Sequence, residues 1–191
     1  MRLRLVAFVW LLAAATVSSA VAQPALPRVH MVATGGTISN RDGGRLTAEE
    51  LARSMPGLER AATLTHEQFL NVASSQITLE QWLQLARRVN ELFEKDKDLA
   101  GIVVTSGTDT LEETAFFLHL TVRDPRPVVV VGSMRNPSTL GYEGAANLLE
   151  GVRVLQRRQG VEELQRLALE RRAQKFEEQA AEQPRQHAHR Q

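Results

Sequence analysis

Across 191 residues the chain sets 23 lysines and arginines against 22 acids, for a formal charge of +1. A chain without basic excess is poorly suited to neutralising nucleic-acid phosphates. It holds no cysteine, which removes disulfides, thiolate metal ligands and a thiol nucleophile together.

The first elements form a secretory leader. Arg2 and Arg4 precede an apolar run from Leu5 to Ala15, and Ala20-Val21-Ala22 offers a small-residue cleavage site before Gln23. The run is shorter than the roughly 18 apolar residues of a membrane span. Residues 1–22 are therefore read as a signal peptide and the mature chain as periplasmic or secreted, free of the membrane once the leader is removed. What remains suits one domain.

From Val29 apolar runs alternate with helical patterns. Val29 to Ala33 is a short buried-type strand ending in Thr34-Gly35-Gly36-Thr37. Thr47 and Glu50 match a capping box, and Pro56-Gly57 closes the helix they open. Phe69 to Ala73 predicts a second strand. Thr78 and Gln81 open a longer helix with Trp82, Leu85, Ala86, Val89 and Phe93 at helical spacing, so Trp82 belongs to the core. Gly101 to Thr105 is a third strand, leading through Gly107-Thr108-Asp109 into a helix bearing Ala115, Phe116 and Leu120; Pro127 to Val131 is a fourth. Alternation of this kind requires crossovers between parallel strands, which predicts a three-layer α/β/α sandwich with a mainly parallel sheet, apolar on both faces. Beyond Val154 the chain turns rich in Arg, Glu and Gln. Val161, Leu164 and Leu167 keep helical spacing there, and from Gln179 the composition predicts disorder.

The two threonine-bearing loops follow strands, where open parallel sheets bind ligands. A threonine hydroxyl attacks only with help for its proton and with donors aimed at the oxyanion. Gly35 and Gly36 let backbone amides approach a ligand while Thr37 presents its hydroxyl; alone, such a turn is as readily structural. Asp109 has two compatible readings, a helix cap or a carboxylate for a substrate ammonium group. Ser74 follows the second strand and is placed to hydrogen-bond a carboxylate. Isolated His30, His66 and His119, and His187 with His189 in a polar stretch, make no metal site. Neither glycine loop supplies the Walker pattern or G-x-G-x-x-G, which weakens a phosphate-binding reading.

Four segments in order, Ala33-Thr34-Gly35-Gly36-Thr37-Ile38, Ala73-Ser74-Ser75, Gly107-Thr108-Asp109-Thr110-Leu111-Glu112-Glu113-Thr114-Ala115 and Gly132-Ser133-Met134-Arg135, resemble the first half of bacterial L-asparaginases. The resemblance runs from about Val29 to Val154. It implies an asparaginase-like N-terminal α/β domain over 23–154, followed by a charged, partly disordered helical tail over 155–191. It also implies hydrolysis of L-asparagine, and of L-glutamine in many members, without cofactor or metal. Thr37 would be the nucleophile and Thr108 the second catalytic threonine, while Asp109 would bind the substrate ammonium and Ser74 its α-carboxylate.

The chain departs from that family in several places. The family's catalytic lysine lies beyond the matched region, and here only Lys95, Lys97 and Lys175 occur. Asn40 to Thr47 lacks the tyrosine common in the family's flexible loop, with Leu46 near its place, and Tyr142 reads as structural filler. The family's second domain, which helps build its homo-oligomer, has no counterpart, so residues 155–191 read as a divergent or out-of-frame ending. A non-catalytic remnant that binds an amino acid through Ser74 and Asp109 is the competing expectation.

Overall fold

The computed structural model describes residues 25–188, so the leader and its cleavage site lie outside the described residues. Four strands, β1 (Arg28–Gly35), β4 (Thr63–Val72), β5 (Leu99–Thr105) and β6 (Val128–Val131), form one parallel sheet in the order β4-β1-β5-β6. A small antiparallel pair, β2 (Asn40–Arg41) and β3 (Gly44–Arg45), forms a hairpin after β1. The helices are α1 (Ala48–Arg53), α2 (Leu79–Lys95), α3 (Leu111–Thr121) and α4 (Gly144–Ala188).

The helix starts follow local chemistry. Thr47 Oγ1 accepts from the Glu50 amide at 3.2 Å while Glu50 Oε2 accepts from the Thr47 amide at 2.8 Å, and Thr78 and Gln81 repeat the exchange at 3.3 and 2.9 Å. Successive strand side chains point to opposite faces, so β1 feeds two cores. Val29, Met31 and Ala33 pack with Leu51 of α1 and Leu148, Val152 and Leu155 of α4. Val32 packs on the other side with Leu85, Val89 and Phe93 of α2 and Leu118 of α3. These two helical layers around the sheet are the predicted sandwich.

The sheet is not apolar throughout. β1 and β5 are buried, but β4 is an edge strand carrying Thr63, Thr65, His66, Glu67 and Gln68, and none of its residues is fully buried. An edge strand has one solvated side and keeps polar residues there, which is why the apolar signal marked only its end at Phe69. Glu67 accepts from Arg88 of α2 at 2.6 Å and lies 3.7 Å from His30 Nε2. Arg88 holds the Glu67 carboxyl below its usual range.

At the far end of the sheet Arg126 ties three segments together. Its guanidinium lies 4.4 Å over the Phe93 ring, pairs with Asp124, and donates to the carbonyls of Phe93, Asp96 and Leu99. α4 begins at Gly144 and passes Val154 and Leu155 without a break. Its first turns descend along the sheet: Gly151 meets Val131 near the end of β6, and Leu155 meets Gly101 near the start of β5. The remainder projects beyond the strands' amino edge and is exposed from Arg157 to Lys175.

Candidate functional site

All four parallel strands deliver their carboxyl ends to one edge of the sheet, and each is followed there by a segment singled out in the sequence. After β1 comes Gly36, with φ 84° and ψ −175°, a conformation essentially reserved for glycine. It starts a one-turn 3-10 segment, Thr37–Ser39, stabilised by the Ser39 amide at 3.1 Å and Ser39 Oγ at 3.0 Å, both donating to Gly36 O. Thr37 is half-buried and its neighbours Ile38 and Ser39 are buried, so the turn is anchored with its first residue reaching the surface.

The loops touch through glycines. A Cβ on Gly36 would overlap the Gly107 backbone, and one on Gly107 would lie 2.5 Å from Ser74 Oγ. On Gly132 it would fall 2.8 Å from Ser106 O and 3.4 Å from Thr108 Cγ2. The absence of side chains thus lets the ends of β1, β4, β5 and β6 close on one another. Below them Thr34 and Thr105 cross-link β1 to β5: the Thr34 amide donates to Thr105 Oγ1 at 3.0 Å, and Thr34 Oγ1 donates to Thr105 O at 2.5 Å.

Within this cluster Ser74 is 2% exposed and its Oγ has no hydrogen-bond partner, while its carbonyl accepts from Thr110 Oγ1 at 3.3 Å. Thr108 is half-buried and Asp109 is exposed on the same 3-10 turn, Thr108–Thr110. Thr110 takes the N-cap of α3 with no side-chain capping bond. The capping reading of Asp109 therefore fails, and its carboxylate makes no hydrogen bond or ion pair among the described residues. Thr37, Ser74, Thr108 and Asp109 share one edge, whereas His30 and His66 lie early in β1 and β4. No group of three or more metal-ligating side chains occurs among the described residues. Lys95 ends α2 and Lys97 precedes β5, both at the opposite edge, and Lys175 lies on the projecting helix.

The loop from Gly132 to Glu143 closes the edge and contains the residues that sequence reasoning missed. Tyr142, expected as filler, donates from its hydroxyl to Ile38 O at 2.8 Å, one residue beyond Thr37. Burial, with a smaller contribution from Glu143, pushes its phenol up to about 12, so it acts as a donor. Burial raises the Glu143 carboxyl, but the Met134 and Arg135 amides that donate to it outweigh this and hold it low. Ser138 Oγ accepts from the Asp42 amide at 2.8 Å and Asn147 Nδ2 donates to Gly132 O at 3.0 Å, tying the loop to the hairpin and to α4. None of these partners is marked by spacing in the sequence.

A family model described as "Asparaginase, N-terminal" matches residues 28–172. L-asparaginase 2 of Bacillus subtilis is 43% identical over 139 residues, covering 68% of this chain and 37% of that protein. Glutaminase-asparaginase of Pseudomonas fluorescens is 41% identical, covering 68% and 38%. Among solved structures, that of a probable cytoplasmic L-asparaginase from Campylobacter jejuni superposes with a TM-score of 0.62 at 37% identity, covering 66% of this chain and 40% of that one. The chain thus spans about two-fifths of the length of these relatives. With its glycine-joined loops on a parallel sheet and a family match over most of its length, the chain belongs to the asparaginase family and carries that family's N-terminal domain.

Proposed function

We propose that this chain provides the nucleophile-bearing half of an asparaginase-type amidohydrolase acting on L-asparagine, with L-glutamine as the second candidate substrate. Thr37 Oγ attacks the side-chain amide carbon, the C–N bond breaks, and ammonia departs with the proton that Thr37 gave up. Water then cleaves the resulting ester to release L-aspartate and restore the hydroxyl. Thr108 is the second hydroxyl beside the reacting amide, Ser74 holds the α-carboxylate and Asp109 the ammonium group. The observation that carries this reading is the convergence of Gly36, Gly107 and Ser74, because it sets two threonine turns and a buried, unpartnered serine hydroxyl at one sheet edge. Asp109 supports it as an exposed carboxylate released from capping.

One observation favours a second reading, binding without turnover. The described lysines stand away from the four loops, and positioned acid–base assistance is worth roughly 10² to 10⁴ in rate. Ammonia release and calorimetric binding, measured on the same preparation with asparagine and with glutamine, separate the two. Hydrolysis abolished by Thr37→Ala with binding retained supports the nucleophile. Binding that is lost in Asp109→Ala, without turnover in the parent chain, supports the binding module. No binding and no turnover overturns both.

The charged start, apolar run and Ala20-Val21-Ala22 site support export with cleavage near Ala22. Mass spectrometry of the exported protein should find Gln23 as the first residue, and a soluble cytoplasmic product retaining Met1 overturns that assignment.

A further inference from the structure

Two apolar surfaces are uncovered among the described residues. On the outer seam between α2 and α3, Leu79 and Leu83 stand one turn apart, as do Phe116 and Leu120, with exposures of 75%, 42%, 64% and 66%. Beneath them the rings of Trp82 and Phe117 stack 5.7 Å apart and hold the two helices side by side. A contiguous patch of large apolar side chains marks an interaction surface. Glu80, Glu112 and Glu113 are exposed at its head, and Glu112 and Glu113 form no ion pair among the described residues.

The second surface is the projecting part of α4. Arg157, Val161, Leu164, Ala168, Arg171 and Lys175 succeed one another at alternating spacings of four and three residues, which places them on one stripe. Val161 and Leu164 are 53% and 68% exposed, with Leu167 beside them. The acids Glu162, Glu163 and Glu170 fall on the other side, paired with Arg158 and Arg166. The stripe is therefore apolar at its centre and basic at both ends.

We propose that the projecting stripe of one copy docks on the α2–α3 seam of a second copy, and reciprocally, forming a two-fold dimer. Charge decides the match: Arg171 and Lys175 meet the Glu80, Glu112 and Glu113 head of the seam, while Val161, Leu164 and Leu167 cover Phe116, Leu120 and Leu83. A helix laid into an apolar groove through anchors three and four residues apart is a recurring recognition mode. The chain's own stripe does not reach its own seam. α4 packs on the sheet face opposite α2 and α3, and its part from Leu155 to Lys175 is roughly 30 Å long at about 1.5 Å per residue. Reciprocal docking closes the pair, since each copy then gives one stripe and receives one on its seam.

Sedimentation equilibrium of the leader-free chain tests this, with circular dichroism to verify folding of every variant. The parent chain should be dimeric. Phe116→Glu/Leu120→Glu and, separately, Leu164→Glu/Leu167→Glu should each raise the dissociation constant about 30-fold or more, as loss of central anchors does. Mixing the two variants should recover heterodimer, because one intact stripe then meets one intact seam. A monomeric parent overturns the proposal. So does a dimer that withstands the Phe116/Leu120 changes but not the Leu164/Leu167 changes, the result of stripes pairing with each other. Variants that fail to complement on mixing also overturn it.

Discussion

The phenol of Tyr142 donates a 2.8 Å hydrogen bond to the carbonyl of Ile38, joining the loop before α4 to the turn that begins with Thr37. The two residues are far apart in sequence, and the bond closes the crevice edge over β1. The ring also packs against the α1–α4 core. Tyr142→Phe keeps that packing and removes the donor, so it should cost about 1 kcal/mol in denaturant unfolding. Tyr142→Ala should cost clearly more. Equal losses in the two variants would show that only the ring matters.

Gly36 combines a positive φ with contact against Gly107. Gly36→Ala should therefore destabilise by more than the roughly 1–3 kcal/mol of backbone strain alone, and should separate the Thr37 turn from the Thr108 turn. Gly43 is the internal control, with φ 81° but open space around its Cα. Thermal melts should rank Gly36→Ala well below Gly43→Ala. Similar melts would mean that the loops do not press on each other.

Thr105 is fully buried and receives the Thr34 amide on its hydroxyl. Thr105→Val keeps the shape but leaves that amide without a partner, at a cost of about 1–3 kcal/mol. Thr34→Val removes a hydroxyl donor from a carbonyl, a different orphan in the same pair. Urea unfolding of both single variants and the double should give a coupling energy different from zero, as expected of residues in direct contact; strict additivity would show that the two bonds act independently.

His30 is held below its ordinary value chiefly by burial, with Arg88 and His66 acting in the same direction and Glu67 opposing. Its ring nitrogens lie 2.7 Å from Thr65 Oγ1 and 3.7 Å from Glu67 Oε2. A lowered folded value means that the unfolded chain binds the proton more readily. Stability linked to His30 is thus complete above the unfolded value of about 6.5 and declines as pH falls below it. Unfolding free energies at pH 7.5 and 5.5 should show this decline, and His30→Gln should lessen it. An unchanged decline in the variant would place its origin elsewhere.

The amino-acid sequence by itself determined the elements whose causes are local. The Thr47 and Thr78 capping boxes form as read, because each needs only residues three apart. β1 and β5 were legible because they are central and buried on both faces. The four motif segments, in order, were also enough to indicate the family. Tertiary structure decided what depends on partners distant in the chain. β4 lies at one sheet edge and is polar where the other edge strand, β6, is all valine, and composition does not announce which strands will be outermost. Asp109 is free of the helix cap because the turn before α3 ends one residue later, at Thr110. Ser74 meets Gly107, Thr34 meets Thr105 and Tyr142 meets Ile38 only once the strand order β4-β1-β5-β6 is fixed. Capping and periodicity act within a few residues, whereas these contacts arise from the packing of whole strands, which no short stretch of sequence encodes.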